Sequence, residues 1–398
     1  MSLNDTPTAE RIHIGFFGLR NAGKSSLVNR ITGQDMSLVS DIKGTTTDPV
    51  KKSMELLPLG PVTVIDTPGY DDEGRLGELR VSRTKEVLKQ CDIAVLVTEQ
   101  REPVPAEQEL LKLIQGRDIP YIIVLNKSDL RDTEEKDDDM VSVSAVSGDG
   151  IDALKEKIAS CIQGQIKQIR LAADLINPGD TVVLVIPIDS SAPKGRLILP
   201  QQMVIRDLLE AGAVSVITGV GELKDTIDSL KADPALVITD SQVFGKVMKM
   251  VGEDIPLTSF SILMARYKGF LDEAVRGAEA IDSLKDHARV LISEGCTHHR
   301  QCEDIGTVKL PKWLSEYTGM KLELSFTSGH GYPADLSEYD IIIHCGGCML
   351  NDKEMQSRMN AAVEAGVPFT NYGTAIAHMN GILSRSIAPV RSGSPKRS

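Results

Sequence analysis

Short apolar runs recur through the first third of the chain, and each leads into a polar or glycine-rich segment. These runs occupy residues 12–17, 62–65, 121–125 and 141–145. Continuous apolar stretches of this kind, bounded by turn residues, predict strands buried inside a sheet. A helix is predicted to follow from residue 151 to about residue 175 and to close the unit. The pattern predicts an α/β domain over residues 1–175, with polar loops at its strand ends.

Beyond residues 177–180, where the sequence Asn-Pro-Gly-Asp marks a boundary, strands and helices continue to alternate. In the middle part (176–269) the pattern predicts strands at 181–188, 213–217 and 236–239 and helices at 201–211, 222–230 and 241–250. In the last part (270–398) it predicts strands at 290–293, 322–326 and 339–344 and helices at 311–317, 352–365 and 375–383. Both parts are predicted to be smaller α/β domains with mainly parallel sheets. Residues 386–398, rich in Ser, Pro and basic residues, are predicted to be disordered.

The first apolar run leads directly into a sequence that fits the pattern G-x-x-x-x-G-K-[ST], at residues 18–26. The glycines of such a loop allow a tight turn in which backbone N–H groups surround phosphate oxygens. Lys24 is predicted to reach the β- and γ-phosphates, and the Ser25 hydroxyl is predicted to bind Mg²⁺. The remaining residues of the predicted phosphate loop are Gly18, Asn21, Ala22, Gly23 and Ser26. The helix that follows favours an anion at its N-terminus.

The second apolar run ends in Asp66-Thr67-Pro68-Gly69. Asp66 is predicted to hold the Mg²⁺ shell, and the Gly69 amide is predicted to meet the γ-phosphate. Between this sequence and the phosphate loop, residues 41–49 are rich in threonine, which suits a loop that is ordered when a hydroxyl joins Mg²⁺ and the γ-phosphate. Thr46 is the preferred ligand there, although its neighbouring threonines leave the choice open. A second switch segment is predicted at residues 70–77.

The third apolar run ends in Asn126-Lys127-Ser128-Asp129, an N-K-x-D pattern. An aspartate at the last position accepts two hydrogen bonds from the N1–H and the exocyclic amine of guanine, which adenine does not offer. The fourth run supplies Ser144 and Ala145, whose backbone is predicted to lie near the guanine carbonyl. Four ordered motifs, each at a strand end, predict a P-loop domain that binds and hydrolyses GTP.

The phosphate loop and the run Gly-Thr-Thr-x-Asp at residues 44–48 resemble the TrmE-Era-EngA branch of the translation-factor-related GTPases. In that branch, an asparagine at the position of Asn21 binds K⁺ beside the phosphates. The resemblance implies that K⁺ takes the part of an arginine finger. Tyr70 stands where Ras-like proteins carry a water-orienting glutamine, so a weak, K⁺-stimulated GTPase is expected.

Composition narrows the class of protein further. The 398 residues include 25% charged residues, and the net charge is -12, which argues against nucleic acid as the main ligand because phosphate binding needs a clustered basic face. No apolar run approaches the roughly 20 residues that span a bilayer, and the first residues show no secretory pattern. These features predict a cytoplasmic protein without a membrane or nucleic-acid partner.

Three of the six cysteines form a pattern near the end of the chain. The sequence Cys296-Thr297-His298 precedes His344-Cys345-Gly346-Gly347-Cys348, and each motif follows a predicted strand. Two thiolates in a C-x-x-C sequence can bind one metal. Tetrahedral zinc with three cysteines and one histidine, an iron–sulfur cluster on three thiolates, and simple packing of buried cysteines are three interpretations of this pattern. Cys91 and Cys161, which lie in the predicted GTP-binding domain, are assigned to packing.

The order C-x-H, a gap of several dozen residues and H-C-x-x-C resembles the signature of the HydF family of FeFe-hydrogenase maturation GTPases. The resemblance covers the whole chain and implies a GTP-binding domain (1–175), a dimerisation domain (176–269) and a cluster-binding domain (270–398). It implies a 4Fe–4S cluster on Cys296, Cys345 and Cys348, in a scaffold that passes a diiron precursor to apo FeFe-hydrogenase. Two radical-SAM maturases are the implied upstream partners, and the implied assembly is a homodimer, although the sequence does not decide between a dimer and a tetramer.

The fourth ligand of the cluster stays open at this point. His298 and His344 match the family pattern, and Glu303 lies close to Cys296 in the sequence. A ligand that is to be displaced should be weak, so one of these groups or solvent is expected there. Cys302 is not expected to be a ligand.

Two rival functions remain. A ribosome- or tRNA-associated GTPase with a structural Cys₃His zinc site would carry a similar GTP-binding domain, but it should also carry a basic face. A redox enzyme with a nucleotide-controlled cluster would need a fourth strong ligand, and the sequence offers no electron-donor site.

Overall fold

The computed structural model describes residues 6–33, 49–70, 74–117, 119–130, 140–163, 170–188, 197–295, 305–329 and 331–391. The predicted ligands Thr46, Cys296, His298 and Glu303 lie outside these ranges, as do Cys302 and residues 41–48. The chain divides into two compact units, residues 1–167 and 168–398. The predicted boundaries at 175/176 and 269/270 stay a prediction.

The first unit is built on six described strands with helices between them. The strands are β1 (Ile12–Phe17), β2 (Val50–Leu56), β3 (Gly60–Asp66), β4 (Ile93–Thr98), β5 (Tyr121–Leu125) and β6 (Met140–Ser142). The helices are α1 (Lys24–Thr32), α2 (Gly74–Leu88), α3 (Pro105–Gln115) and α4 (Ile151–Gln163).

The strand order in this sheet is β2-β3-β1-β4-β5-β6. Only β2 among the described strands runs antiparallel to its neighbour; its alternating half-buried and exposed residues suit an edge strand. The central strand β4 is buried along its whole length, as its apolar sequence requires. The carboxyl ends of β1, β3 and β5 therefore open at one edge of the sheet, where open parallel sheets bind ligands.

The second unit contains two four-stranded parallel sheets. The first has the order β10-β9-β7-β8. Its elements are β7 (Thr181–Val185), α5 (Leu199–Glu210), β8 (Val214–Thr218), α6 (Leu223–Asp228), β9 (Leu236–Thr239), α7 (Phe244–Val247), β10 (Leu257–Ser259) and α8 (Phe260–Tyr267).

The second sheet has the order β12-β11-β13-β14. Its elements are α9 (Leu271–Glu279), β11 (Arg289–Glu294), α10 (Leu310–Thr318), β12 (Glu323–Ser328), β13 (Ile341–His344), α11 (Asp352–Glu364), β14 (Phe369–Asn371), α12 (Tyr372–Met379) and α13 (Leu383–Arg391). With these two sheets, the predicted fold class is confirmed.

One apolar core joins the two sheets of the second unit. It extends from Val183 in β7 through Ala274 in α9 to Ile342 in β13. Arg385 in α13 adds a polar link, because its Nη2 donates hydrogen bonds to the carbonyls of Val251 (3.3 Å) and Ile255 (3.2 Å) near β10. The two sheets therefore share their interior.

The prediction of disorder from residue 386 onward is wrong for residues 386–391, which lie in α13. The apolar side chains of Leu383, Ile387 and Val390 recur at helical spacing and are buried. The predicted helix 375–383 also divides into α12 and α13, because Gly381 adopts a positive φ of 71° between them. Residues 392–398 lie outside the described part of the chain.

Within the described ranges, none of the helices has both the length and the apolar composition to cross a membrane.

Candidate functional site

At two positions of the loop between β1 and α1, the backbone conformation and its close neighbours leave room only for glycine. A Cβ on Gly18 (φ 147°) would lie 2.2 Å from the Val97 carbonyl oxygen. A Cβ on Gly23 (φ 83°) would lie 2.2 Å from Nδ2 of Asn126. Ala22 is buried beneath the loop, and Asn21 also has a positive φ of 65°. The sequence thus forms a tight loop that ends at the N-terminus of α1.

Lys24 begins α1 and extends back across this loop. Its Nζ donates hydrogen bonds to the carbonyls of Leu19 at 2.7 Å and Gly18 at 3.1 Å, and the residue is buried. The ammonium is therefore held in the curve of the loop, where phosphate oxygens are expected to lie.

Ser25 and Asp66 form the second polar contact of the site. The Ser25 hydroxyl donates to Oδ2 of Asp66 at 2.5 Å, while the buried Oδ1 of Asp66 has no hydrogen-bond partner among the described residues. Burial raises the pKa of Asp66, and the Ser25 hydrogen bond and the charge of Lys24 oppose that effect. A hydroxyl beside a carboxylate oxygen is an oxygen donor set that suits Mg²⁺.

The segment after β3 packs directly on the phosphate loop. A Cβ on Gly69 would lie 2.7 Å from both N and Cα of Arg20, and the Tyr70 amide donates to the Gly18 carbonyl at 3.1 Å. Tyr70 has an exposed fraction of 1% and packs in an apolar cluster with Phe17. Its ring therefore points into the core and does not take the place of a water-orienting side chain.

The loops after β5 and β6 meet through Asn126 and Asp129. Nδ2 of Asn126 donates to the Ala22 carbonyl at 3.0 Å, and the Ala145 amide donates to Oδ1 of Asn126 at 3.3 Å. The Ser144 hydroxyl donates to Oδ1 of Asp129 at 2.5 Å, which orients that carboxylate. Asn126 thereby connects the predicted base pocket to the phosphate loop.

Lys127 lies at the rim of the same pocket with a positive φ of 61°. Its Nζ forms an ion pair with Glu99, a residue that follows β4. Sequence reasoning did not identify Glu99, because no motif spacing joins it to Lys127.

In the second unit, Cys345 directly follows β13, at the carboxyl end of the parallel sheet. Its Sγ accepts hydrogen bonds from the amides of Gly295 (3.1 Å) and Gly347 (3.4 Å). Gly347 has a positive φ of 63°, and a Cβ there would lie 2.6 Å from the sulfur of Met355. Backbone N–H groups aimed at a cysteine sulfur are a recurring feature of iron–sulfur sites. The donor set therefore fits a metal cluster.

The surroundings of Cys345 and Cys348 favour the neutral thiol over the thiolate in both residues. Burial, followed by the neighbouring Cys348, raises the pKa of Cys345 to about 12. Burial likewise raises the pKa of Cys348, and the charge of Lys268 opposes that effect. A bound metal would supply the positive charge that both thiolates need.

His344 is buried behind this loop, and both of its ring nitrogens have partners. Nδ1 lies 2.9 Å from the Cys345 carbonyl oxygen, and Nε2 lies 3.1 Å from Nη1 of Arg358. Burial and the charge of Arg358 lower the pKa of His344 to about 3, so the ring is neutral. A metal could bind this ring only by displacing one of these two partners.

Arg358 on α11 connects several groups behind the cysteine loop. Its Nη2 donates to Oε1 of Glu354 at 2.7 Å and to the Gly329 carbonyl at 2.6 Å, and its guanidinium lies 5.2 Å from the centre of the Tyr332 ring. Sequence reasoning missed this pair, although a Glu and an Arg four residues apart on one helix were a visible signal.

Among the residues that the structure describes, no three His, Cys, Asp or Glu side chains form a metal-binding group. Cys345 and Cys348 are the described part of the predicted cluster site. The partner Cys296 follows Gly295, whose amide contacts the Cys345 sulfur.

The fold and the phosphate loop define the first unit as a P-loop GTPase domain. Residues 13–127 match the family described as "50S ribosome-binding GTPase". GTPase Der of Wolinella succinogenes is 35% identical to this chain over 176 residues and is matched over 40% of this chain and 37% of its own length. The tRNA modification GTPase MnmE of Chromobacterium violaceum is 35% identical over 160 residues and is matched over 38% of this chain and 35% of its own length. The chain thus spans about a third of the length of these relatives. Aquifex aeolicus Era bound to GDP·AlF4⁻ has a TM-score of 0.34 and 20% identity, covering 52% of this chain and 92% of that one.

The rest of the chain identifies the family. Residues 171–269 match the "Hydrogen maturase F dimerization domain", and residues 272–389 match the "Hydrogen maturase F tetramerization domain". The chain belongs to the hydrogen maturase F family, as the cysteine pattern predicted. The prediction of a GTP hydrolase is confirmed at the level of the GTPase domain, and the two domain descriptions indicate an oligomer.

Proposed function

We propose that this protein is a GTP-hydrolysing scaffold that binds a 4Fe–4S cluster on Cys296, Cys345 and Cys348. It accepts a diiron precursor made by radical-SAM maturases and delivers it to apo FeFe-hydrogenase in the cytoplasm, acting as a homodimer. The observation that carries the cluster proposal is the pair of amides aimed at Cys345 Sγ, one of them from the residue before Cys296. The family membership supports the role in hydrogenase maturation.

The phosphate-binding part of this proposal rests on contacts of the first unit. Lys24 and the Gly69 amide stabilise charge on the γ-phosphate, and Ser25 binds Mg²⁺, with Asp66 holding its water shell. Thr46 completes the Mg²⁺ shell from the switch loop. Loss of the γ-phosphate releases the switch loops and thereby gates the contact with partner proteins.

The base-binding part rests on the loops after β5 and β6. Asp129 accepts two hydrogen bonds from guanine, Asn126 fixes the pocket against the phosphate loop, and Lys127 borders the base. The backbone at Ser144 and Ala145 meets the guanine carbonyl. The 2.5 Å contact from the Ser144 hydroxyl supports this arrangement, because it orients the Asp129 carboxylate.

We expect K⁺ to stimulate GTP hydrolysis through Asn21. The positive φ of Asn21 places this residue at the turn of the phosphate loop, and the buried Tyr70 ring leaves the stabilisation of developing charge to a cation. The hydrolysis rate in KCl should exceed the rate in NaCl of equal ionic strength, and Asn21→Ala should remove the difference. Equal rates of the unsubstituted protein in both salts would contradict the K⁺ site.

The cluster would supply an iron with an exchangeable ligand, at which the precursor can dock. That fourth ligand is His298, His344, Glu303 or solvent. For His344 to serve, its ring must first leave Arg358 or the Cys345 carbonyl. His298 and Glu303 lie outside the described residues.

A second candidate function is a ribosome- or tRNA-associated GTPase with a zinc ion on the same cysteines. The match to the "50S ribosome-binding GTPase" family favours it for the first unit. The net charge of -12 opposes it, because RNA binding relies on basic surface.

Metal and acid-labile sulfide analysis of the anaerobically purified full chain tests the proposal. The expected result is about four irons and four sulfides per chain, as one 4Fe–4S cluster requires, with an EPR signal after dithionite reduction. Stoichiometric zinc without sulfide, from cells well supplied with iron, would refute the cluster and favour the second candidate.

A further inference from the structure

A lysine from outside the cysteine loop lies buried beside it. Lys268 directly follows α8, within the part of the chain that matches the dimerisation domain, and its exposed fraction is 2%. Its Nζ donates a 2.6 Å hydrogen bond to the carbonyl of Leu350, two residues beyond Cys348. Its backbone carbonyl also accepts a bond from Nε2 of Gln356 on α11 at 3.2 Å. Lys268 thus connects helix α8 to both the loop and the helix that follows it.

The positive charge of this ammonium is only partly balanced by its protein contacts. Among the residues that the structure describes, its ion-pair partner is the carboxylate of Asp352, which lies 3.4 Å away and is 28% exposed. A buried cation normally needs a close, desolvated counter-charge, because burial removes its hydration. The other buried cation near the loop, Arg358, has such a partner in Glu354 at 2.7 Å. The two cations therefore differ in how completely their charge is neutralised.

The charge of Lys268 acts on the loop itself. Its buried Nζ is bonded to the backbone two residues beyond Cys348, so the charge is fixed close to this end of the cysteine loop. A cluster on three thiolates carries net negative charge, and reduction adds one more negative charge. A fixed positive charge in a buried site stabilises the more negative state, since low local dielectric leaves the attraction largely unscreened.

We propose that Lys268 is a positioning residue that holds the end of the C-x-x-C loop and raises the reduction potential of the cluster. This inference rests on the cluster binding proposed above. Helix α8 lies in the region that matches the dimerisation domain, and Lys268 places the end of this helix next to the cluster site. The reduction potential of the cluster therefore depends on how that helix packs.

The test compares four variants of the anaerobically reconstituted full chain by EPR-monitored redox titration with dithionite. Lys268→Met removes the charge and should make the cluster harder to reduce, with the ratio of reduced to oxidised cluster falling at least tenfold at a fixed potential (59 mV for one electron). Lys268→Arg keeps the charge and should stay close to the unsubstituted protein. Asp352→Asn removes the partial counter-charge and should shift the potential in the opposite direction. Lys249→Met is the matched control, because this lysine is exposed and its charge is screened by water, so no shift is expected.

The outcomes separate the two proposals. Absence of a cluster in the unsubstituted protein refutes the proposed function itself. A cluster in every variant with equal potentials, or shifts of the same sign for Lys268→Met and Asp352→Asn, overturns the role of Lys268. If Lys268→Met loses the cluster and Lys268→Arg retains it, the role of the positive charge is supported. If both variants lose the cluster and Asp352→Asn shows no shift in reduction potential, that role is overturned.

Discussion

Replacement of Cys345 by serine is expected to reduce the cluster content from about four irons per chain, the value for one 4Fe–4S cluster, to near zero. Its sulfur is the group at which the Gly295 and Gly347 amides converge, and the residue is partly buried. A serine oxygen is a harder and more basic donor, which clusters accept poorly. Iron analysis together with the EPR spectrum of the reduced protein measures the effect.

Cys161→Ser is the matched control for this prediction. Cys161 lies half-buried in α4, in the GTP-binding unit. This variant should keep both the iron and the EPR signal, and the GTPase rate should be the same in both variants. A full complement of iron in Cys345→Ser would remove Cys345 from the ligand set and with it the main support for the cluster proposal.

Asp129→Asn is expected to weaken GTP binding by about a hundredfold or more. The substitution removes one of two hydrogen bonds to a charged acceptor, each of about 1.5–3 kcal/mol, and leaves the other with a neutral acceptor, while 1.4 kcal/mol corresponds to a factor of ten. An asparagine amide at this position donates where guanine also donates, so one contact becomes repulsive. Titration with a fluorescent GTP analogue measures the loss.

Xanthosine triphosphate provides the positive test of the same geometry, because its C2 carbonyl accepts a bond from the asparagine amide. The Asp129→Asn variant should bind xanthosine triphosphate more tightly than GTP, whereas Asp152→Asn, an exposed change on α4, should leave the preference for GTP unaltered. Unchanged GTP affinity in Asp129→Asn would place the base elsewhere.

The GTP site could be predicted from the sequence because its parts are contiguous motifs at strand ends. Gly18 and Gly23 are required by a positive φ and by close contacts with the Val97 carbonyl and the Asn126 side chain, and the parallel sheet brings Asn126 to the loop that contains Ala22. The position of Cys345 at the end of a strand followed from the same reasoning.

The surroundings of the cysteine loop could not be predicted in this way. Lys268 and Leu350 are 82 residues apart, and their contact depends on how α8 packs against the second sheet. The partners of His344 depend on α11 presenting Arg358 to a buried ring. Such contacts are set by tertiary packing, which leaves no fixed spacing in the sequence.

One local prediction failed because composition was weighed above pattern, and one strand was not predicted. The serine, proline and arginine content near residue 386 suggested disorder, although Leu383, Ile387 and Val390 already had helical spacing. The antiparallel strand β2 was not predicted, since Lys51, Lys52, Ser53 and Glu55 make most of its residues polar.

The common interior of the two sheets in the second unit bears on how substitutions in either sheet affect the stability of the whole unit. Arg385 near the end of the described chain bonds to the carbonyls of Val251 and Ile255 in the preceding sheet, and one apolar core includes Val183 and Ile342. Neither sheet can be exchanged for an unrelated one without exposing the interior of the other. A substitution that loosens the interior beneath one sheet is therefore expected to destabilise the other sheet as well.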